Sequence, residues 1–314
     1  MTSPLVPALA MIGLGRMGGN MLRRVARGGI GGIGYDAAAA ARAALADEPG
    51  VSVADSLTAA IGALNAPRAV WIMLPAGEIT ERTIMAVASQ LSPGDIIIDG
   101  GNADYRDSVR HAATLAARGL HFVDAGVSGG VWGLAEGYGL MFGGSPEAVA
   151  SLMPVFRALA PAADQGWVHC GPPGSGHYTK MIHNGVEYGL MQAYAEGFAL
   201  LQAKTEFGLD VGAIAQAWRR GTVVRSWLLD LVAPALQGAD ALADVAPVVA
   251  DSGEGRWTVR ESIELGVPAP VIAAALNVRL ASQGRGDFGA RVLARLRNAF
   301  GGHAMQAADQ AAAR

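Results

Sequence analysis

Five side chains able to exchange protons or hold a polar ligand fall within nine residues: Lys180, His183, Asn184, Glu187 and Tyr188. Their spacing is i, i+3, i+4, i+7 and i+8. At about 100° per residue that spacing puts all five on one stripe of a helix. The segment 174–201 reads as that helix. A stripe of this kind can be an ordinary solvated face, or it can line a site. Two features favour a site. A solvated face is usually built of Glu, Lys, Arg and Gln, whereas this one offers one amine, one imidazole, one amide, one carboxylate and one phenol. The opposite side carries Ile182, Gly185, Val186, Gly189 and Ala193. Each internal glycine costs about 0.5–1 kcal/mol relative to alanine, so close packing of another element is expected there.

The elements that must position this stripe begin near the N-terminus. Leu9–Ile12 is a short apolar run, followed by Gly13-Leu14-Gly15-Arg16-Met17-Gly18 and a helical segment. Strand, Gly-x-Gly-x-x-Gly and helix in that order form a dinucleotide cradle, with phosphates facing the helix N-terminus. Asp36 lies about 20 residues past the turn, where a carboxylate accepts ribose hydroxyls and repels a 2′-phosphate. It equally suits the N-cap of an Ala-rich helix over 37–46, and both roles are compatible. The intervening Gly28–Gly34 stretch is poor strand material.

Helices and apolar strands then alternate up to about Cys170, predicting a mostly parallel sheet covered on both faces. Ligands bind beyond the carboxyl ends of such strands. Three strand ends carry loops suited to that: Leu74-Pro75-Ala76-Gly77, Gly100-Gly101-Asn102 and Val127-Ser128-Gly129-Gly130. After Gly176 the strands stop and the pattern is helical, with breaks at Gly208, Pro234, 253–255 and Pro268/Pro270. The expected architecture is a doubly wound α/β domain of the Rossmann type over 1–174, followed by an all-α domain over 175–314.

Composition narrows the partners. Hydrophobic residues make up 51% of the 314 and charged residues 16%, and the net charge is −3. No basic field for nucleic acid is present. No run approaches the ~18–20 apolar residues of a membrane helix, and the first apolar stretch reads as a strand rather than a signal peptide. Cys170 is the single cysteine, excluding an intrachain disulfide and a cysteine metal site. A soluble cytoplasmic protein without a metal is expected.

These residues carry a resemblance nearly end to end. GLGRMG (13–18), IIDGGN (97–102), DAGVSGGVWGL (124–134), the 174–198 helix, GEGRWT (253–258) and FGGH (300–303) resemble the decarboxylating 6-phosphogluconate dehydrogenases in their short bacterial form, within the β-hydroxyacid dehydrogenase superfamily. The resemblance implies oxidation of 6-phosphogluconate to ribulose 5-phosphate and CO₂, with Lys180 as general base and Glu187 as the acid that protonates C1. It implies substrate contacts from Asn102, Ser128, Gly129, Gly130, His183 and Asn184, phosphate contacts from Tyr188 and Arg279, and a cofactor held by residues 13–18, Asp36, Leu74, Pro75, Ala76 and Asn102. Arg297 and His303 match residues that reach a neighbouring subunit's site, implying a dimer or tetramer. Asp36 followed by Ala37 favours NAD over NADP. The larger members carry a phosphate-binding Lys and Thr where this chain has the acidic Asp251-Ser252-Gly253-Glu254, with Arg256 as a substitute. The alternatives are a dehydrogenase of a small unphosphorylated β-hydroxy acid, which needs no phosphate cluster, and a non-catalytic NAD-binding protein, which needs neither Lys180 nor Glu187.

Overall fold

The computed structural model describes residues 8–238 and 241–301; His303 lies outside them. The chain separates into two compact units, Met1–Ile182 and His183–Arg314.

In the first unit the strands are β1 (Leu9–Ile12), β2 (Gly32–Tyr35), β3 (Val51–Val53), β4 (Ala69–Ile72), β5 (Ile96–Asp99), β6 (His121–Ser128), β7 (Gly139–Gly143) and β8 (Trp167–Gly171). The helices are α1 (Arg16–Arg27), α2 (Ala39–Ala43), α3 (Leu57–Gly62), α4 (Glu78–Ala88), α5 (Tyr105–Ala116), α6 (Gly133–Glu136) and α7 (Pro146–Leu159). The sheet order is β3-β2-β1-β4-β5-β6-β7-β8. All neighbours are parallel except the antiparallel β6–β7 pair. The order reverses between β1 and β4, which is the switch point where such sheets open a crevice.

Side chains alternate across the sheet, and both faces are apolar. Leu9, Met11, Trp71, Ile98 and Phe142 pack with Met21 and Leu22 of α1 and Phe156 of α7. Ala10, Ile12, Ile72 and Ile97 pack with Ile84 of α4 and Leu115 of α5. Phe142 stacks on Phe156 with centroids 4.0 Å apart. Truncating either ring would cost about 3–5 kcal/mol.

The glycine-rich stretch before Tyr35 does form a strand. A Cβ on Gly32 would lie 2.4 Å from Leu22 Cδ1, and one on Gly34 2.9 Å from Leu14 Cδ2. Large side chains from the turn and α1 fill the room the glycines leave, so packing overrides the poor strand propensity. The Ala-rich helix is shorter than expected: α2 begins at Ala39, and its N-cap is Ala38. Asp36 is therefore not its N-cap. It instead accepts the Ala38 N–H two residues on (2.8 Å), an Asx turn that leads into the helix.

The helix α8 (Ser175–Ala203) is continuous, and the division between the units falls within it. The second unit contains the rest of α8, then α9 (Val211–Trp218), α10 (Trp227–Val232), α11 (Glu254–Glu264), α12 (Pro270–Leu280) and α13 (Asp287–Gly301). Glu254 and Gly255, expected in a break, open α11, and Gly253 (φ 110°) is its N-cap. A small core joins Phe198, Ala215, Leu229 and Ala233. The glycines of α8 have the expected cause. A Cβ on Gly185 would lie 2.6 Å from Thr258 of α11, and one on Gly189 3.3 Å from Val271 of α12.

Candidate active site

The rim of the first unit is built from strand ends that are in step: Ile12 aligns with Tyr35 and Ile72, Ile72 with Asp99, and Asp99 with Asp124. The loops that follow touch through glycines. Gly13 has φ 96°, and a Cβ there would lie 2.4 Å from the Met73 carbonyl. One on Gly101 would lie 2.8 Å from the Leu74 carbonyl. The loops after β1, β4 and β5 therefore close-pack into a single rim.

The Gly-rich turn has the shape a pyrophosphate requires. A Cβ on Gly18 would come 2.0 Å from the Gly13 carbonyl oxygen, so helix and strand meet backbone to backbone there. Gly15, in contrast, is exposed with nothing within 4 Å of a Cβ position. It is the N-cap of α1 and no side chain caps that helix. The start of α1 thus has open space at Gly15 and no side-chain cap, which suits an anion. Leu14 turns its side chain inward (6% exposed) and donates its N–H to Asp36 Oδ2 (2.8 Å). Each Asp36 oxygen accepts one backbone N–H and keeps a further lone pair for a ribose hydroxyl. These residues fit a dinucleotide. Arg42 was not anticipated from sequence. Its guanidinium donates to the Asp36 carbonyl (2.7 Å) and the Ala37 carbonyl (3.2 Å), which places a cation next to Asp36.

Ser128 ends β6, with Gly129 (φ 129°) and Gly130 (φ 52°) turning the chain. The Tyr138 ring fills the space under this loop, 3.2 Å from a Cβ on Gly129 and 2.0 Å from one on Gly133. Its hydroxyl is buried without a partner among the described residues, and burial pushes its pKa up to about 12. Asn102 is exposed on the rim.

Along α8 the polar stripe splits. Every fourth residue is buried: Lys180 is 8% exposed, Asn184 8% and Tyr188 6%. His183 and Glu187 form an outer line, each side chain 38% exposed, with His183 Nδ1 3.8 Å from Glu187 Oε2. His183 Nδ1 also lies 3.3 Å from Asn184 Oδ1. A solvated face would not bury an amine, an amide and a phenol in register.

In the second unit, Arg279 of α12 places its guanidinium carbon 3.6 Å from the Tyr188 ring centroid. Gly255 admits that ring, since a Cβ there would lie 2.5 Å from it. Arg256 is held by Asp251 (2.9 Å), and Ser252 donates to Glu254 (2.6 Å). The acidic loop thus consumes its own polar groups, and the cation offered as a phosphate ligand is already paired. Arg297 lies exposed on α13. Among the described residues no group of three or more His, Cys, Asp or Glu is placed to hold a metal ion, and no helix is long and apolar enough to cross a membrane.

Comparison with known proteins identifies the family. Residues 8–170 match the family model described as the NAD binding domain of 6-phosphogluconate dehydrogenase, and 176–311 match its C-terminal domain. A Haloferax volcanii protein named as the NAD(+)-dependent, decarboxylating 6-phosphogluconate dehydrogenase is 42% identical over 96% of this chain and 99% of its own. The Plasmodium falciparum 6-phosphogluconate dehydrogenase, solved apo, with NADP+ and with 6-phosphogluconate, superposes with a TM-score of 0.81 at 27% identity. That match covers 93% of this chain and 64% of the Plasmodium one. A Mycobacterium tuberculosis 3-hydroxyisobutyrate dehydrogenase superposes with a TM-score of 0.70 at 26% identity, covering 88% of this chain and 94% of its own. The glycine cradle, the Ser-Gly-Gly turn and the buried Lys–Asn–Tyr line of α8 thus sit in a chain that belongs to the 6-phosphogluconate dehydrogenase family.

Proposed function

We propose that this protein is an NAD-preferring 6-phosphogluconate dehydrogenase that oxidises and decarboxylates 6-phosphogluconate to ribulose 5-phosphate in the cytoplasm, as a step of the pentose phosphate route. The observation that carries the reading is the buried line of Lys180, Asn184 and Tyr188 beside the outer His183–Glu187 pair. A small unphosphorylated hydroxy acid would leave Tyr188 and Arg279 without an anion to bind.

Residues 13–18 would hold the pyrophosphate and Asp36 the ribose; the bound nicotinamide supplies the hydride acceptor. Lys180, buried on α8, takes the proton of the 3-hydroxyl as general base. Once protonated, it stabilises the oxygen of the enediol left by loss of CO₂. Glu187 delivers the proton to C1. Asn102, Ser128, Gly129, Gly130, His183 and Asn184 orient the sugar acid, and Tyr188 with Arg279 binds the phosphate. Asp36 disfavours the 2′-phosphate of NADP by charge.

We also propose that the active form is a dimer or tetramer. The α13 helix exposes Phe288 (80%), Leu293 (62%) and Leu296 (53%) beside Arg297. The same unit has an open apolar groove of about 1100 Å³ lined by Met191, Phe198, Leu228 and Leu231. Exposed apolar surface of this kind marks an interaction site.

The test is reduced-cofactor formation from 6-phosphogluconate, with NAD and NADP in parallel. Turnover with NAD well above NADP is expected. No turnover in a folded protein that binds dinucleotide would sink the substrate assignment. Mixing Lys180→Ala with Arg297→Ala tests the assembly, since partial recovery of activity requires a site shared between subunits.

A further inference from the structure

We propose that Asp124 and Gly126 are positioning residues that seat the Lys180 amine, a step that rests on the reading of Lys180 given above. Both lie on β6, two residues apart, and so face the same side of the sheet. Asp124 is fully buried, and its two oxygens accept the N–H groups of Gly174 (2.6 Å) and His177 (2.7 Å). Those amides lie at the start of α8, where N–H groups have no partner within the helix. A carboxylate from a neighbouring strand thus takes the place of a local cap. Its bonds are charge-assisted and favoured by the helix dipole.

The remaining contacts hold the same turn. His177 is 1% exposed, and its Nδ1 is hydrogen-bonded to Ser108 Oγ of α5 at 2.7 Å. A Cβ on Gly176 would lie 2.5 Å from the Asp124 carbonyl, so strand and helix meet there backbone to backbone. One turn further on, a Cβ on Gly126 would lie 2.3 Å from Lys180 Cβ and 2.9 Å from its Cγ. The lysine stem therefore lies directly on the bare backbone of the strand. Asp124 fixes the beginning of the helix, and Gly126 fixes how closely Lys180 approaches β6. Burial raises the Asp124 pKa, the charge of His177 and the two amide bonds opposing it. A buried carboxylate of that cost is expected where it holds something in place.

The experiment compares Asp124→Ala, Asp124→Asn and Gly126→Ala with the parent protein. Displacing a reacting group by about 1 Å costs on the order of a hundredfold in rate. A fall in kcat of about that size is expected for Asp124→Ala and Gly126→Ala, with the NAD dissociation constant within about twofold of the parent. Asp124→Asn keeps one acceptor and should fall between. Amide hydrogen exchange over 176–180 should quicken in Asp124→Ala. If that variant does not fold, Asp124→Asn and Gly126→Ala decide. Parental kcat in the folded variants overturns the proposal, as does unchanged amide protection, or a loss of NAD affinity that matches the loss of kcat. Should the parent protein not oxidise 6-phosphogluconate, the functional reading fails by itself, and amide exchange still decides whether the strand seats the lysine.

Discussion

The guanidinium of Arg279 lies over the face of Tyr188, 3.6 Å from guanidinium carbon to ring centroid, and one of its nitrogens donates to the Ala250 carbonyl at 3.1 Å. Among the described residues the buried Tyr188 hydroxyl has no hydrogen-bond partner. An orphaned phenol beside an anchored cation is poised for an anion. Tyr188→Phe keeps the ring and the cation contact but removes the donor. A hydrogen bond to a charged group contributes about 1.5–3 kcal/mol, so KM for 6-phosphogluconate should rise on the order of ten- to a hundredfold while KM for NAD holds. Arg279→Lys, which loses the planar fork, should raise the same KM. Unchanged KM in both variants would remove this pair from the phosphate site.

Gly18 and Gly15 should differ in thermal stability, though not in the direction of the NAD effect, under the same substitution. A Cβ on Gly18 meets a backbone carbonyl at 2.0 Å, which no side-chain movement relieves. Gly18→Ala should lower Tm by several degrees and weaken NAD binding about tenfold or more. Gly15 has φ −59° and open space around it. Gly15→Ala should leave Tm unchanged and still weaken NAD binding, because the methyl occupies the path of the pyrophosphate. Calorimetry with and without NAD separates the two, and a Gly15→Ala protein with parental NAD affinity would place the phosphates elsewhere.

Asp36 and Arg42 make a paired prediction. The carboxylate repels a 2′-phosphate, while the guanidinium beside it could attract one. Asp36→Asn should narrow the ratio of NAD to NADP efficiency by about tenfold, since one charge contact is worth about 1–2 kcal/mol at a partly exposed site. Arg42→Ala in the Asp36→Asn background should return part of the NAD preference. A ratio that moves in neither variant would leave Asp36 with only its Asx turn and its bond to Leu14.

Much of this was legible in the sequence because periodicity encodes it. Alternating apolar strands and helices gave the doubly wound sheet, and the glycines at 185 and 189 announced the close approach of Thr258 and Val271. Three things were not legible. Whether Lys180, Asn184 and Tyr188 are buried while His183 and Glu187 stay outside depends on which element covers α8, and the stripe alone carries no such information. Arg42 reaches back six residues to a carbonyl, a contact set by the short α2. Asp124 caps a helix that starts 51 residues later in the chain. Local capping rules look only at the residues preceding a helix, so a carboxylate on a distant strand goes unseen.

His111 of α5 gives the last prediction, on stability against pH. It is 6% exposed, neither ring nitrogen has a hydrogen-bond partner among the described residues, and its ring meets the Phe122 ring edge-on with centroids 6.0 Å apart. Burial lowers its pKa, and the charge of Arg110 lowers it further, against smaller opposing effects of Asp99, Asp107 and Glu81. Above pH 6.5, the ordinary value, the imidazole is neutral in both folded and unfolded chains and adds no pH dependence. As pH falls below that value the unfolded chain takes up a proton that the folded site refuses, so stability is lost progressively down to the depressed folded value. Tm should therefore fall between pH 7.5 and 5 by more in the parent protein than in His111→Leu, which has nothing to titrate there. The leucine also removes two buried unpaired nitrogens, each costing about 1–3 kcal/mol, so its Tm near neutrality should equal or exceed the parent's. Melting curves of both proteins across that range decide the point: parallel pH dependence would mean that His111 protonates freely in the folded state.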